Sequence, residues 1–294
     1  MFKINSYKEN ASYDWTDNSV RIIVTPSNVA KSTYFYVEEI GYFKTLSTYF
    51  TQRENLNSYL IIYVLSGKGY LEYKGESYTI CSGHGFLIDC MEYQYYKSDP
   101  EDPFEILWVH FNGSTSHGYY QQFSKNSTPI CHFDKTTMVP SIIQQLILAH
   151  KEKSVKTEPL CSKLLMDLLT QFLFTINDLD SSETFLPEYI KNIMKYLDKN
   201  LLDKITLDML SKKFFINKFH LEKEFKRFIG ISPNEYVILN RISYGKELLK
   251  YSDLPISEIS FKTGNDNVSH FINLFKKREG ITPLCYRRKW KSIR

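Results

Sequence analysis

The chain predicts an α+β, multidomain fold: an antiparallel β jelly roll with a helical hairpin, then an all-α domain holding two helix-turn-helix motifs. Three observations predict it. Short β-rich runs broken by glycine turns crowd the first half, and apolar stripes at helical spacing follow them. Near the C-terminus Asn217, Phe225-Lys226, Gly230-Ile231, Pro233 and Tyr236 reappear 50 residues later as Asn267, Phe275-Lys276, Gly280-Ile281, Pro283 and Tyr286. A repeat of that period marks duplicated supersecondary units.

The first strong strand is the apolar run Tyr59 to Leu65, ended by the turn Ser66-Gly67-Lys68-Gly69 and resumed at Tyr70 to Tyr73, which makes a hairpin. Further strands are expected at 77–81, 86–89 after the turn Ser82-Gly83-His84-Gly85, and 104–111. Strands this short and this closely spaced form a sandwich or jelly roll, here assigned to residues 1–138. Residues 139–176 read as a helical hairpin, with Leu160, Leu164, Leu165, Leu168, Leu169 and Phe172 on one stripe. So apolar a stripe needs a partner, either its own barrel or the same helix of a second subunit. The polar, aperiodic stretch 177–185 reads as a linker.

The helical half spans 186–294. Ile190, Ile193, Met194, Leu197 and Leu201 stripe its opening helix. Thr206 is a candidate N-cap for a short helix, Phe214-Phe215-Ile216 a turn, and Asn217 the cap of a second helix stopped by Gly230. Ser232-Pro233-Asn234-Glu235 has the form of a capping box opening a long helix. That helix leads to a second copy of the plan, so the units are placed at about 205–230 and 255–280.

Composition excludes several classes. The formal charge is +4, yet Leu186 to Arg294 carries 22 Lys/Arg against 12 Asp/Glu, a balance of +10 that leaves −6 for the rest. A basic half suits a polyanion such as DNA, though excess lysine also serves as plain solvated surface. No apolar run is long enough to span a membrane, and Met1-Phe2-Lys3-Ile4-Asn5 does not begin a secretory signal, so a cytoplasmic location is expected. The five scattered cysteines form no Cys-x-x-Cys pair, which argues against a disulfide framework or structural zinc.

The C-terminal pattern resembles the DNA-binding domain of the AraC/XylS family of transcription regulators. The resemblance rests on Pro255-Ile256-Ser257-Glu258-Ile259-Ser260 through Gly264, Ser269-His270-Phe271, Phe275-Lys276-Lys277, Gly280-Ile281-Thr282-Pro283 and Tyr286-Arg287. It covers about the last hundred residues. Ser260 and Gly245 stand where alanine is common, and Asn265 replaces the usual aromatic after Gly264, a change expected to loosen the second turn. By position in the family, Phe219, Glu222 and Lys223 match base-facing sites in the first unit, and Val268, Ser269, His270 and Asn273 in the second. Glu can accept from cytosine N4, Asn suits adenine, and Phe or Val can touch a thymine methyl. Lys218, Lys226, Arg241, Lys276, Lys277 and Arg287 are expected at phosphates. Phe219 alternatively completes a core, and Arg241 alternatively forms an internal ion pair.

The strand half resembles the cupin-type sensor domain found in many AraC/XylS regulators, with Gly67, Gly69 and Gly83 at its usual turns and Trp108 to Phe111 as its closing strand. Metal-dependent cupins hold the ion with a His-x-His pair and a later His, and no His-x-His occurs here, so no metal or cofactor is expected. An organic effector in the barrel mouth is expected instead. Sugar sites pair aromatic faces with fixed polar groups. The candidates are Arg53, Tyr36, Tyr93, Tyr95, Trp108 and His110, with Tyr34, Tyr42 and Tyr96 as further walls.

The resemblance implies a ligand-responsive activator of carbohydrate-utilisation genes, acting as a homodimer on double-stranded promoter or operator DNA, with RNA polymerase a further candidate partner. The alternatives are a ligand-independent or non-sugar-responsive regulator of virulence or stress genes, and a cupin enzyme carrying an accessory DNA-binding module. None of the seven histidines has a metal-ligand spacing, so the chain is not expected to be an enzyme.

Overall fold

A computed structural model of the chain describes residues 6–125, 128–177 and 186–291. The chain divides into two compact units, Met1–Asp180 and Ser181–Arg294. Nearly all of the segment read as a linker, from 178 to 185, lies outside the described residues.

The first unit runs β1 (Lys8–Ser12), β2 (Val20–Ile23), α1 (Asn28–Thr33), β3 (Tyr36–Lys44), β4 (Phe50–Glu54), β5 (Tyr59–Ser66), β6 (Lys68–Tyr73), β7 (Glu76–Cys81), β8 (His84–Asp89), β9 (Gln94–Ser98), β10 (Glu105–Asn112), α2 (Ser116–Phe123), β11 (Ile130–His132), α3 (Val139–Glu152) and α4 (Thr157–Asn177). Two antiparallel sheets result, in the orders β1-β4-β9-β6-β7 and β11-β8-β5-β10-β3-β2. β6 begins at Lys68, so Gly69 lies inside a strand and not in the turn.

Strand alternation sorts the side chains between two cores. Leu60, Ile62 and Val64 of β5 with Ile106 and Trp108 of β10 fill the space between the sheets. Ile61, Tyr63, Leu107, Val109 and Phe111 face the other way, onto α2, α3 and α4. This two-sided burial explains why β5 is apolar throughout. It also answers which partner the hairpin stripe takes: Leu164, Leu165, Leu168, Leu169 and Phe172 are buried in the unit's own core, and Leu160 is exposed.

The second unit consists of α5 (Glu188–Lys199), α6 (Leu207–Phe214), α7 (Lys218–Ile229), α8 (Pro233–Tyr251), α9 (Ile256–Lys262), α10 (Val268–Glu279) and α11 (Pro283–Lys291). The caps are side-chain oxygens taking otherwise unpaired helix N–H groups: Thr206 accepts from Met209, Asn217 from Phe219 and His220, Ser232 from Glu235, and Asn267 from His270. The Glu235 carboxylate does not complete a reciprocal box; it pairs with Arg278. Two separate cores form. Ile190, Ile193, Leu197, Leu210, Leu221 and Phe225 make the first, and Ile259, Phe271, Phe275 and Tyr286 anchor the second. α8 serves both, giving Val237 to one and Ile242 and Leu249 to the other.

The duplication is not uniform. α6 and α9 start 49 residues apart, whereas the caps Asn217 and Asn267 are 50 apart, so the second turn holds one extra residue, Asp266. Ser260, where alanine was the expectation, matches Ser211 at the offset of 49. Ser211 Oγ donates to the Ile216 carbonyl at 2.7 Å and Ser260 Oγ to the Asn265 carbonyl at 3.0 Å. Asn265 is buried and its amide donates to Thr263 Oγ1 at 3.1 Å. The second turn is therefore tied down and not loosened, because the Asn amide makes bonds that an aromatic ring cannot.

Candidate nucleic-acid interface and effector pocket

The two capped helices α7 and α10 present the residues read as base-facing. Phe219, Glu222 and Lys223 are exposed, and Phe219 at 71% exposure completes no core. On α10 Ser269, His270 and Asn273 are exposed and Val268 is half-buried. Lys226, Lys276 and Lys277 are exposed along the same helices, where a phosphate could be met. Phe225 and Phe275 are fully buried on the opposite faces and orient both helices. Lys218 is paired with Asp208 at 3.1 Å, an exposed bridge weak enough to be exchanged for a phosphate.

Two of the residues expected at phosphates make hydrogen bonds within the protein. Arg241 turns inward: Nε donates to the Leu201 carbonyl at 2.8 Å, Nη1 to that of Gly264 at 2.8 Å, and Nη2 to that of Asp203 at 2.7 Å. Its acceptors are backbone oxygens of the loop after α5 and of the turn after α9, and not the carboxylate of the ion pair that the sequence suggests as an alternative. Arg287 likewise donates through Nη2 to the Leu254 carbonyl at 2.6 Å, while its Nε is buried.

In the first unit, a narrow cleft opens between the sheets, with a cavity volume of about 20 Å³ in this conformation. Arg53, Trp108 and His110 line it; Tyr36, Tyr93 and Tyr95 do not. The reason is strand parity. Tyr95 points to the outer face of β9, against Phe50 at 5.9 Å, while its neighbour Tyr96 points in. Tyr93 is exposed before β9 and its hydroxyl accepts from Gln52, and Tyr36 is half-exposed at the start of β3. Trp15, Phe43, Tyr49 and Thr51, which no motif in the sequence marks, also line the cleft. β4 carries little strand signal in its sequence beyond the alternation that turns Thr51 and Arg53 inward together.

The polar side of the cleft is a buried relay. Arg53 lies opposite Glu9 across the β1–β4 pair and binds it at 3.1 Å, and its Nη1 donates to His110 Nε2 at 2.7 Å. Because a guanidinium only donates, His110 carries its proton on Nδ1, facing Ser58 Oγ at 3.3 Å. Burial, reinforced by the Arg53 charge, holds the imidazole well below its ordinary pKa of 6.5, so it is neutral. Arg21 is paired with Glu39 at 2.9 Å on the rim. Each cation of the cleft thus faces a carboxylate. Two donors remain: Arg53 Nε and Trp108 Nε1 are buried without a hydrogen-bond acceptor among the described residues.

Comparison with known proteins places both units. Residues 36–169 match the model of the AraC-like ligand binding domain, and residues 210–289 match that of a helix-turn-helix domain. The chain belongs to the AraC family of transcription regulators. This AraC-family regulator is 27% identical over 229 residues to the lactose operon transcription activator of Staphylococcus xylosus, covering 76% of the chain and 81% of that relative. It is 24% identical over 236 residues to the Msm operon regulatory protein of Streptococcus mutans, covering 79% and 85%. A stretch of 103 residues is 42% identical to the helix-turn-helix-type transcriptional regulator YdiP of Escherichia coli, covering 35% of the chain and 34% of that protein. The chain is thus a DNA-binding transcription regulator with a ligand-binding domain. Among its described residues no helix is long and apolar enough to cross a membrane, and no group of three or more His, Cys, Asp or Glu side chains could hold a metal ion.

Proposed function

We propose that this AraC-family regulator is a cytoplasmic, sugar-responsive activator of carbohydrate-utilisation genes. The observation that carries the reading is the cleft: aromatic walls from Trp15, Phe43 and Trp108, two buried donors lacking acceptors, and cations already balanced by Glu9 and Glu39. Aromatic faces suit the C–H surface of a sugar ring, spare N–H groups suit its oxygens, and balanced charge favours a neutral polyol over an acid. The resemblance to a lactose operon activator supports the same class.

In this reading residues 1–138 sense the effector, 139–176 contribute to a homodimer, 177–185 link, and 186–294 bind operator DNA. α7 and α10 each enter a major groove, with Phe219, Glu222 and Lys223 reading one stretch and Val268, Ser269, His270 and Asn273 another. Effector binding shifts the population toward the placement of the DNA-binding domains that engages two half-sites and recruits RNA polymerase, by no more than its differential affinity for the two states. A thermal-shift and calorimetric screen of neutral mono- and disaccharides beside sugar acids and fatty acids tests the proposal. A neutral sugar at a hundredfold its dissociation constant should stabilise the protein by about 2.7 kcal/mol. A response confined to the acids, or none to any sugar, would sink it.

A further inference from the structure

The inward turn of Arg241 bears on how two reading helices can act together. The two helix-turn-helix units have separate apolar cores, joined only through the helix that both share, α8. α8 runs through both, and Arg241 stands on it between Val237, which belongs to the first core, and Ile242, which belongs to the second. Its guanidinium reaches both sides. Leu201 and Asp203 lie in the loop that closes α5, part of the first unit, while Gly264 lies in the turn of the second. Three donors in one rigid plane meet three backbone carbonyls, a geometry that fixes direction as well as distance.

The turn is built to admit this contact. At Gly264 φ is +73°, and a Cβ there would fall 2.9 Å from Arg241 Cζ and 2.7 Å from the Leu202 carbonyl oxygen. The guanidinium and the α5 loop therefore pack directly on bare backbone. Its counterpart at the offset of 49 is Phe215, which is also left-handed at φ 55° but 95% exposed, so the first turn has no such packing.

We propose that Arg241 is a positioning residue for DNA recognition: by joining the α5 loop, α8 and the turn of the second unit, it sets the spacing and rotational phase of α10 relative to α7. The inference rests on the reading that both helices enter the groove. Without Arg241 each unit keeps its core and its own contacts, but the second helix no longer arrives in register. The two contacts then cease to reinforce one another, which is how linked sites lose avidity.

The test uses the full-length protein and a duplex selected by wild-type protein from random DNA, together with two derivatives: one with the second half of the footprint scrambled, one with a base pair inserted between the halves. Arg241→Gln should bind the intact duplex at least about tenfold more weakly than wild type, and the scrambled duplex within about twofold of wild type. The inserted base pair should penalise wild type strongly and the variant little, a phase dependence that a loss of stability alone would not change. Arg241→Lys, which retains the charge and a donor but not the fork, should fall between, and it carries the test if melting shows that Arg241→Gln does not fold. Wild type indifferent to scrambling would overturn the two-helix reading itself. Wild type sensitive to scrambling, with Arg241→Gln weakened equally on all three duplexes or on none, would overturn the role of Arg241 alone.

Discussion

Lys223 and Lys276 both expose an ammonium group on a reading helix, but at different places along it, and this predicts different binding defects. Lys223, midway along α7, should contact a base edge: Lys223→Ala is expected to cost roughly 1–3 kcal/mol and to relax preference at one base step. Lys276, in the last turn of α10, should meet phosphate, so Lys276→Ala should weaken all sequences alike and reduce the salt slope by about one ion. Titrating both variants against matched and mismatched duplexes at several salt concentrations separates the roles; uniform losses in both would refute the base contact of Lys223. His110 gives a pH prediction. The folded protein holds it neutral below its ordinary 6.5, whereas an unfolded chain protonates it there. Stability should therefore be lost as pH falls through about 6.5, at up to about 1.4 kcal/mol per pH unit, and be unaffected by this group above. Denaturant midpoints between pH 7.5 and 5 measure it, and His110→Gln should remove that part of the slope.

At the scale of the element, the turns distinguish the two units more than their helices do. Gly230 ends α7 in the left-handed region with open space around its Cα, so Gly230→Ala should cost about 1 kcal/mol of backbone strain. Gly264→Ala carries similar strain and also a collision with the Leu202 carbonyl, adding roughly 1–3 kcal/mol. Melting of the two variants checks the order; equal losses would show that the turn of the second unit relaxes around a methyl group. The caps were legible because each is a local bond within three residues: Thr206, Asn217 and Ser232 all accept where their sequence position suggests. The extra residue Asp266 was not legible, because landmarks counted from Asn217 onward repeat at 50 and conceal the offset of 49 before it.

At the scale of the molecule, two compact units with separate cores should unfold in two transitions, and a sugar effector should raise the midpoint of the first unit's transition alone. Differential scanning calorimetry with and without sugar reads this; a single transition raised as a whole would show the units to be thermodynamically coupled. The concentration of +10 in residues 186–294, against −6 elsewhere, should draw the helical unit and not the β unit to DNA.

Local chemistry settled the helices, their caps, most of the central strands and the family, since periodicity, capping and turn residues act within a few positions of one another. The three-dimensional arrangement decided the rest. Strand parity, which short unrecognised strands such as β4 and β9 concealed, sent Tyr96 into the cleft and Tyr95 out of it. The stripe of α4 could have met a second subunit, and the six-stranded sheet covers it instead. Arg241 reads in the chain as one more basic residue of a DNA-binding half. Its acceptors lie about 40 residues before it and about 20 after, and backbone carbonyls leave no trace in the identity of the residues that carry them.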